Sequence, residues 1–370
     1  MKFIILIIIT TIILSCSKED ERNYTVKEIG GITTFKNSNK PSKELILKPK
    51  KIFTIDGNSG DSSQVLKRPV GVSVDSNKDI YILDIIESNI KKYDSNGNFI
   101  KAISKKGMGP GELSFPNSMA ILEDTIYVAN SGQKKIVKLD KDGNYIGDIF
   151  LSNELIELFQ PVGKDRFLGY VGGVNQEKNE IGLNLSILNK RFEVIKELVP
   201  NRINLSDPNN NILNIISPYA VSEKGIFISS NSKNRYSINV YNFNGEPTYN
   251  IEKWYKKIKL TDDESEQFNK AMKKIGSRSG VPEVKYKKAI NNLFVDNQGR
   301  LWVKVSLQRS KDSENNFVID IFKDGVFLNR VEFDELTTED FFNPETRLFV
   351  YDNRIFIFDR DSNSLSVYQY

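Results

Sequence analysis

The side chains that most hydrolases and metalloenzymes depend on are nearly missing from this sequence. Its 370 residues include no histidine and one cysteine, Cys16. This composition excludes Ser-His-Asp and Cys-His mechanisms, histidine-ligated metal sites, and CxxC metal or redox motifs. Divalent-cation sites made of Asp, Glu and Asn oxygens need no histidine, so the composition leaves that class of chemistry open.

One short segment begins like a calcium-binding loop. It reads Asp140-Lys141-Asp142-Gly143-Asn144, but the later ligand positions and the terminal glutamate of such a loop do not follow. Because similar dipeptides recur after other strand-like segments, we expect a hairpin turn here. Asp75 and Asp296 are predicted to cap turns rather than to act in catalysis, Gly172-Gly173 to break a strand or loop, and Trp302 to pack in the core.

The single cysteine follows a secretion signal. A basic start, Met1-Lys2, precedes an apolar run of 12 residues from Phe3 to Leu14, which is shorter than the roughly 20 residues that a spanning helix needs. The run ends in Ile13-Leu14-Ser15-Cys16, which resembles the lipobox of bacterial lipoproteins. The resemblance implies a signal peptide over residues 1–15, acylation of Cys16 and attachment to the membrane through it. A simple signal peptide with an incidental cysteine is the alternative.

Residues 16–43 are predicted to form a lipidated, flexible tether, because they lack apolar periodicity. The run Lys18-Glu19-Asp20-Glu21 resembles the export signal of Bacteroidota surface lipoproteins. An outer-membrane location is therefore expected, facing either the periplasm or the cell surface. Removing residues 1–15 takes away one lysine and lowers the formal charge from +4 to +3, which gives no electrostatic case for binding nucleic acid.

A degenerate repeat organises residues 44–370. A short apolar strand with an aromatic residue at its second position recurs six times, and an alternating strand follows each copy. The aromatic residues are Tyr81, Tyr127, Phe167, Phe227, Trp302 and Phe356. Four copies then carry an Asn-Gly or Asp-Gly dipeptide, which favours a type I′ hairpin turn. The third copy has Asn189-Lys190-Arg191 instead, a weaker match.

The repeat predicts an all-β, six-bladed β-propeller. Its last copy ends at Tyr370, one strand short of a full blade, and Lys50–Ile55 is a strand without a repeat of its own. Pairing Lys50–Ile55 with Leu365–Tyr368 would close the ring and remove two open sheet edges.

The first two repeats resemble NHL repeats. The similarity lies in residues 69–75, 79–84 and 90–97, and in Gly107-Met108-Gly109-Pro110-Gly111-Glu112-Leu113 followed by Pro116. The whole chain is similar to the six-bladed propeller lipoproteins of Bacteroidota. From the third repeat onward the likeness is architectural only, because the Gly-Pro-Gly segment is lost.

A helical insertion in the fifth blade interrupts the repeat. Phe227 and Trp302 are 75 residues apart, against 46 for Tyr81 and Tyr127. Residues 252–288 hold 11 Lys or Arg and 6 Asp or Glu, and the capping box Thr261-Asp262-Asp263-Glu264 predicts a helix that ends near Gly276. One hypothesis makes this insertion a recognition surface for an anionic ligand. Its candidate residues are Trp254, Tyr255, Lys273, Lys274, Arg278, Lys285, Tyr286 and Lys287. The alternative is a solvated helix packed on the rim, with Trp254 and Phe268 buried beneath it.

Two classes of function fit these patterns. The favoured one is a non-catalytic binding or scaffold module that recognises a protein, peptide or glycan, without a cofactor. The other is a lactonase or gluconolactonase-type hydrolase, which would hold Ca²⁺ through carboxylates and amides from different blades in the central channel.

Overall fold

We describe the protein from a computed structural model. It describes residues 23–43, 45, 47–58, 61–152, 155–175, 177–204, 216–274, 284–308, 317–333, 347–359 and 362–370. Cys16 and the predicted signal peptide lie outside this part of the chain. Within it, no helix has both the length and the apolar character needed to cross a bilayer.

The chain folds into six sheets, each built on antiparallel strands, which confirms the predicted six-bladed propeller. Two strands precede the ring and a third closes it; these are β1 (Tyr24–Ile29), β2 (Ile32–Asn37) and β3 (Lys50–Asp56). Blade 1 contains β4 (Pro69–Val74), β5 (Ile80–Asp84), β6 (Asn89–Tyr93) and β7 (Phe99–Ile103). Blade 2 contains β8 (Pro116–Leu122), β9 (Thr125–Asn130), β10 (Lys135–Asp140) and β11 (Tyr145–Phe150).

The middle blades carry additional strands. Blade 3 contains β12 (Leu155–Val162), β13 (Arg166–Asn175), β14 (Glu180–Asn189) and β15 (Val194–Val199), and the short β16 (Arg202–Asn204) also pairs with β14. Blade 4 contains β17 (Tyr219–Ser222), β18 (Gly225–Ser229), β19 (Tyr236–Tyr241) and β20 (Pro247–Lys253), to which β2 and β1 are added. The helix α1 (Asp262–Lys274) lies between blades 4 and 5 in the chain.

The last two blades complete the ring. Blade 5 contains β21 (Ile290–Val295), β22 (Leu301–Val305), β23 (Phe317–Lys323) and β24 (Val326–Phe333). Blade 6 contains β25 (Arg347–Tyr351), β26 (Arg354–Asp359) and β27 (Ser364–Gln369), with β3 as its outermost strand. β3 pairs antiparallel with β27, so that Ile55 lies opposite Leu365 and Thr54 opposite Ser366. The two ends of the propeller are thereby joined within one sheet.

The core consists of apolar clusters at the junctions between neighbouring blades. In the described residues there are six such clusters, one at each junction of the ring. Side chains alternate along each strand, so Ile80 and Ile82 pack against blade 6 while Tyr81 and Leu83 pack against blade 2. This alternation explains why both faces of a central strand are apolar: each strand supplies two junctions.

Blade 3 is offset by one residue within this pattern. The other repeated aromatic residues pack toward the following blade, whereas Phe167 packs against blade 2, with Tyr127 and Phe159. Leu168 takes the position toward blade 4 instead. A shift of one residue along a strand moves a side chain to the opposite face of the sheet. The alignment of the third repeat by its aromatic residue was therefore wrong by one position.

Each blade has tight turns on one side, which we call the turn face. It comprises the turns between the first and second strands and those between the third and fourth strands. Asp94 shows the typical geometry: its Oδ1 accepts the N–H groups of Asn96 and Asn98 at 2.8 and 2.9 Å, and its Oδ2 accepts from the Asn98 amide. Asp140, Asn189 and Asn242 repeat these contacts in blades 2, 3 and 4.

The predicted type I′ turns are found only in blade 5. There Asp324 and Gly325 both have positive φ, at 51° and 84°. In blades 1, 2 and 4 only the glycine does, and the strand register slips beside the turn, which is the pattern of a type I turn with a glycine bulge. The physical reason is the preceding Asp or Asn, whose side chain holds the following residues in a type I geometry.

Asp75 and Asp296 cap the first turns of blades 1 and 5, as predicted. Asp75 Oδ1 accepts from the N–H groups of Asn77 and Asp79. Asp296 accepts from two backbone N–H groups, from Arg300 Nε at 2.6 Å and from Trp302 Nε1 at 2.8 Å. Trp302 is buried, as the sequence predicted.

The predicted flexible tether is wrong for residues 24–37. β1 and β2 form an antiparallel hairpin, and β2 adds parallel to β20, with Phe35 opposite Ile251. Asn37 fixes the end of this hairpin, because its side chain bonds to the backbone of Gly325 and Phe327 in blade 5. The hairpin covers the outer edge of blade 4, an edge that would otherwise be open to pairing with another chain.

Candidate functional site

The other side of the propeller, which we call the connection face, carries the links between blades and the loops between second and third strands. Large apolar side chains are exposed here: Ile86, Met108, Phe115, Leu155, Leu158, Val174, Ile216 and Trp254. In the described chain, none of the exposed large apolar residues lies within a turn of the turn face. The connection face thus has more exposed apolar side chains than the turn face, where Tyr145 and Val194 flank the turns of blades 2 and 3.

Two of these residues adopt a strained backbone, one just before the inner strand β8 and one within the inner strand β12. Phe115 has φ 51° and is 63% exposed, and Leu158 has φ 50° and is 39% exposed. A left-handed conformation is costly for bulky residues, and exposed side chains gain little burial to offset it. Leu158 lies where the pairing of β12 with β13 slips between Glu157 and Gln160.

Polar groups lie next to these strained residues. Asn117 Nδ2 donates to Glu157 Oε1 at 3.4 Å, which links β8 to β12. Asn117 Oδ1 is buried without a hydrogen-bond partner among the described residues. In the described part of the chain no three Asp, Glu or Cys residues come together in a group that could hold a metal ion.

The inner strands of the ring also carry tyrosines bonded to a neighbouring blade. Tyr351 donates to the carbonyl of Val72 at 2.8 Å, and Tyr219 to that of Leu168 at 3.4 Å. Burial raises the pKa of Tyr351 to about 12. These phenols are therefore neutral at physiological pH and serve to connect blades 6 to 1 and 4 to 3.

A pair of lysines lies on the connection face between blades 4 and 5. Burial, followed by the nearby charge of Lys233, lowers the pKa of Lys288 from its usual 10.5 to about 8. Burial also lowers the pKa of Lys233. The Ala289 N–H donates to the carbonyl of Ser232 at 2.9 Å, which holds the two segments together.

Blade 3 bears a cleft of about 530 Å³. β13 and β14 are ten residues each, longer than the blade needs, and β16 continues along the outer edge of β14. Gly173 lies opposite Gly182 across the two strands, and both line the cleft. The predicted break at Gly172-Gly173 is wrong: both residues belong to the continuous strand β13. Glycine serves here to leave the sheet face open rather than to interrupt the strand.

The walls of this cleft carry charges of both signs. Lys178 and Arg202 supply the positive charges, and Glu180 and Glu197 the negative ones. None of the four side chains forms an ion pair or side-chain hydrogen bond with the described residues. Asn184 Oδ1 accepts the N–H of Asn201 at 3.0 Å, so the Asn184 amide group is fixed and its Nδ2 is left to donate.

The predicted helix of the insertion has the expected start. Thr261 N–H donates to Glu264 Oε2, and Glu264 N–H to Thr261 Oγ1, at 2.9 and 3.2 Å. This reciprocal pair confirms the capping box. Phe268 is buried under the helix as proposed, but Trp254 is not: it is 60% exposed. Trp254 directly follows β20, where its N–H bonds to Asn37 and its ring extends from the rim.

The eight residues of the predicted recognition surface have different environments. Trp254 and Lys285 are exposed, while Tyr255 and Tyr286 are half-buried. Lys287 is buried and bonds to Glu264 of α1 and to the carbonyl of Leu307 at 2.8 Å, so it stabilises the insertion. Lys273 and Lys274 end α1, with side chains outside the described part, and Arg278 lies outside it altogether.

The sequence analysis did not predict the cleft residues, because they are far from any recognisable motif. Glu180 and Arg202 are 22 residues apart and become neighbours only through the pairing of β14 with β16. One signal was available: glycines at positions 172, 173 and 182 in segments otherwise typical of strands.

Comparisons with solved structures find the same fold. An exported protein of Bacteroides fragilis aligns with a TM-score of 0.54 and 13% identity, over 90% of this chain and 98% of that chain. A gluconolactonase from Xanthomonas campestris aligns with a TM-score of 0.46 and 12% identity, over 87% and 94%. Virginiamycin B lyase from Staphylococcus aureus aligns with a TM-score of 0.43 and 10% identity, over 87% of this chain and 100% of that chain. The likeness to the Bacteroides fragilis protein, at 13% identity, indicates shared architecture and not shared activity.

No curated protein sequence matches this chain. Residues 63–313 match a protein family described as a 6-bladed beta-propeller. These residues span blades 1 to 4, the insertion and the first strands of blade 5, which is more than half of the sequence. The chain belongs to this family of six-bladed β-propellers.

Proposed function

We propose that this protein is a lipoprotein of the bacterial cell envelope whose propeller binds a ligand without transforming it. Anchoring would occur through acylated Cys16, in line with the apolar run before it and the lipobox-like Ile13-Leu14-Ser15-Cys16. An outer-membrane location and NHL-like repeats in blades 1 and 2 belong to the same proposal. They are supported by the charged run after Cys16 and by the motifs of residues 69–113.

The blade 3 cleft is the observation that carries the binding function. Two cations and two carboxylates line a space of about 530 Å³ and have no ion-pair partners among the described residues. Unpaired charges of both signs on fixed strands favour a ligand that carries both an ammonium and a carboxylate group. Peptides meet this requirement and neutral glycans do not, so we propose a zwitterionic peptide ligand.

The cleft is also suited to binding because its floor is already formed. A Cβ atom added at Gly173 would meet no atom within 4 Å, so the ligand can approach the open backbone there. The strands on both sides hold the cleft in place, which reduces the entropy lost when a ligand binds. A pocket of this volume is within the range that small ligands occupy.

Calorimetric titration with short peptides tests this proposal. We expect the mature chain to bind tripeptides that contain both lysine and glutamate, and not their acetylated, amidated analogues with neutral side chains. Each charge-assisted hydrogen bond contributes roughly 1.5–3 kcal/mol. The double variant Glu197→Gln, Arg202→Gln should therefore weaken binding by about 100-fold or more.

A matched control uses Lys164→Gln with Asp165→Asn, which removes one charge of each sign from a turn of blade 3 on the turn face. This control should bind like the unaltered chain. Equal affinity for charged and neutral peptides, or unchanged binding by the cleft variant, would contradict the proposal. Turnover of a lactone with added Ca²⁺ would instead support the hydrolase alternative.

Acylation is tested separately. Labelling of growing cells with a radioactive or alkyne-tagged fatty acid should mark the protein, and Cys16→Ala should abolish the label. Release of the unaltered chain into the aqueous phase after detergent partition would show that it has no lipid anchor.

A further inference from the structure

Asn23, the first residue that the structure describes, lies near Trp254. Ser38 N–H donates to the carbonyl of Asn23, and Trp254 N–H donates to the carbonyl of Asn37, both at 2.8 Å. β1, β2 and β20 are successive strands of one sheet, so the start of β1 is about 10 Å from the end of β20. The amino-terminal segment therefore enters the structure at the rim where the insertion begins.

This geometry limits the distance to the proposed lipid anchor. Asn23 is seven positions after Cys16, and a fully extended chain spans about 25 Å over seven steps. The inference rests on the proposed acylation of Cys16. If that cysteine is in the membrane, the rim at the junction of blades 4 and 5 must be close to the bilayer surface.

The part of the insertion at this rim is basic. We call it the basic flange and define it as residues 254–260 and 284–287. The two segments pair, because Leu260 N–H donates to the carbonyl of Lys285 and Lys287 N–H to that of Ile258, at 3.0 and 2.9 Å. Four lysines of the flange are exposed, and the only cation of the flange that is buried is Lys287. The exposed ones are Lys256, Lys257, Lys259 and Lys285.

The flange is fixed to the body of the protein. Buried Lys287 bonds to Glu264 of α1 and to the carbonyl of Leu307. Lys257 Nζ lies 4.6 Å from the centre of the Tyr286 ring. The flange is therefore a supported platform that presents cations and the exposed Trp254 ring on the same side of the chain as the anchor.

We propose that the basic flange binds the anionic headgroups of the membrane that holds Cys16. Tryptophan favours the interface between water and lipid, and lysines near an anionic surface are attracted to its phosphates. The acyl chains of Cys16 would anchor the protein, and the flange would add a second contact with the same surface, which fixes the orientation of the propeller. The propeller then stands with its rim at blades 4 and 5 against the bilayer.

Vesicle binding by the unlipidated mature chain, residues 17–370, tests the flange without the anchor. It contains all described residues. We expect it to sediment with vesicles of 70% phosphatidylcholine and 30% phosphatidylglycerol, to bind pure phosphatidylcholine at least tenfold more weakly, and to dissociate in high salt. The triple variant Lys256→Glu, Lys257→Glu, Lys259→Glu should reduce binding by about 100-fold.

The matched control is Lys50→Glu, Lys164→Glu, Lys196→Glu, which makes the same change in net charge at exposed lysines away from the flange. It should retain binding within about threefold. Equal loss of binding in both triple variants would overturn the proposal, because only the net charge of the protein would then matter. Equal binding to the two kinds of vesicle would also overturn it, because lipid charge would then have no effect.

Fluorescence provides a second measurement. The chain has two tryptophans, of which Trp302 is 1% exposed. Brominated lipids should quench the part of the emission that Trp254→Phe removes and leave the Trp302 signal unchanged. Absence of quenching in bound protein would exclude contact of the flange with lipid. If Cys16 is acylated but the unlipidated chain does not bind vesicles, the lipid-binding role of the flange is wrong. If the chain binds vesicles but Cys16 is not acylated, the proposed lipid anchor is wrong.

Discussion

The turn face and the connection face of this propeller are built from different interactions. On the turn face, short turns are capped by Asp or Asn side chains in nearly every blade, and Asp296 is buried among several donors. On the connection face, Phe115 and Leu158 are strained and exposed, and the charges of the blade 3 cleft lack partners among the described residues. The connection face also has capped loops, at buried Asp84 and Asn130, so the positions free to vary are its strained, exposed residues and the charges of the cleft.

This division implies that substitutions on the two faces differ in kind. Changes on the turn face should lower the free energy of unfolding without a specific effect on ligand binding. Changes at the cleft and at the exposed positions of the connection face should alter binding and leave stability nearly unchanged. Three predictions test this division, beginning with the largest effect.

Asp296→Ala should destabilise the protein most. The substitution leaves Arg300 Nε and Trp302 Nε1 without the carboxylate that accepts them at 2.6 and 2.8 Å in a buried site. Loss of one partner of a buried ion pair costs about 3–5 kcal/mol. Urea unfolding followed by tryptophan fluorescence measures the change. A loss below about 1 kcal/mol would mean that the turn face does not stabilise the ring in the way described here.

A pair of glycine substitutions compares the faces directly. Gly143→Ala places a methyl group on a residue with φ 86°, with its Cβ 2.9 Å from the Ile103 side chain, and should cost about 1–2 kcal/mol. The Cβ of Gly173→Ala would have no atom within 4 Å, and Gly173 does not have a positive φ. The free energy of unfolding should therefore change by less than about 0.5 kcal/mol.

The same pair should separate stability from binding. Gly173→Ala adds a methyl group to the floor of the cleft and should weaken peptide binding, whereas Gly143→Ala should leave affinity unchanged in the folded fraction. Calorimetry measures the peptide affinity of both variants, and urea unfolding measures their free energies of unfolding. A destabilised Gly173→Ala, or a binding defect in Gly143→Ala, would remove the distinction between the faces.

Lys288→Met should give the smallest effect and one that depends on pH. In the folded state the pKa of Lys288 is about 8, below its usual 10.5. Burial is the larger cause, and the positive charge of Lys233 is the smaller one. Between these values the unfolded state binds more protons, so stability of the unaltered chain rises with pH across this window. Below pH 8 the methionine variant should be more stable by about 1 kcal/mol, and the difference should disappear above pH 10.5. Thermal unfolding at pH 7 and pH 10.5 measures it.

Sequence patterns predicted the elements that repeat. The aromatic strand signals located the second strand of every blade, and the capping box located the start of α1. Counting strands led to the pairing of Lys50–Ile55 with Leu365–Tyr368, since one blade lacked a strand and one strand lacked a blade. These features succeed as sequence signals because they follow from local chemistry and from the need to close sheet edges.

Features that depend on distant contacts could not be predicted in the same way. β1 and β2 lack apolar periodicity because the hairpin buries few apolar side chains: its buried residues are Thr34 and Asn37, while Phe35 is half-buried against Tyr249. The cleft depends on pairing between β14 and β16, and the exposure of Trp254 depends on the position of the hairpin beside it. In blade 3 the left-handed position of the turn is taken by Phe192, with φ 61°, which packs on Phe167 at 4.7 Å.

The strand that completes blade 6 also sets the order in which the protein can finish folding. Thr54 and Ser366 meet across β3 and β27 although 312 residues separate them in the chain. Long separations between paired residues slow folding, because the intervening chain must be ordered first. β3 is synthesised early and its partner β27 at the end of the chain, so the ring can close only after all six blades have been synthesised.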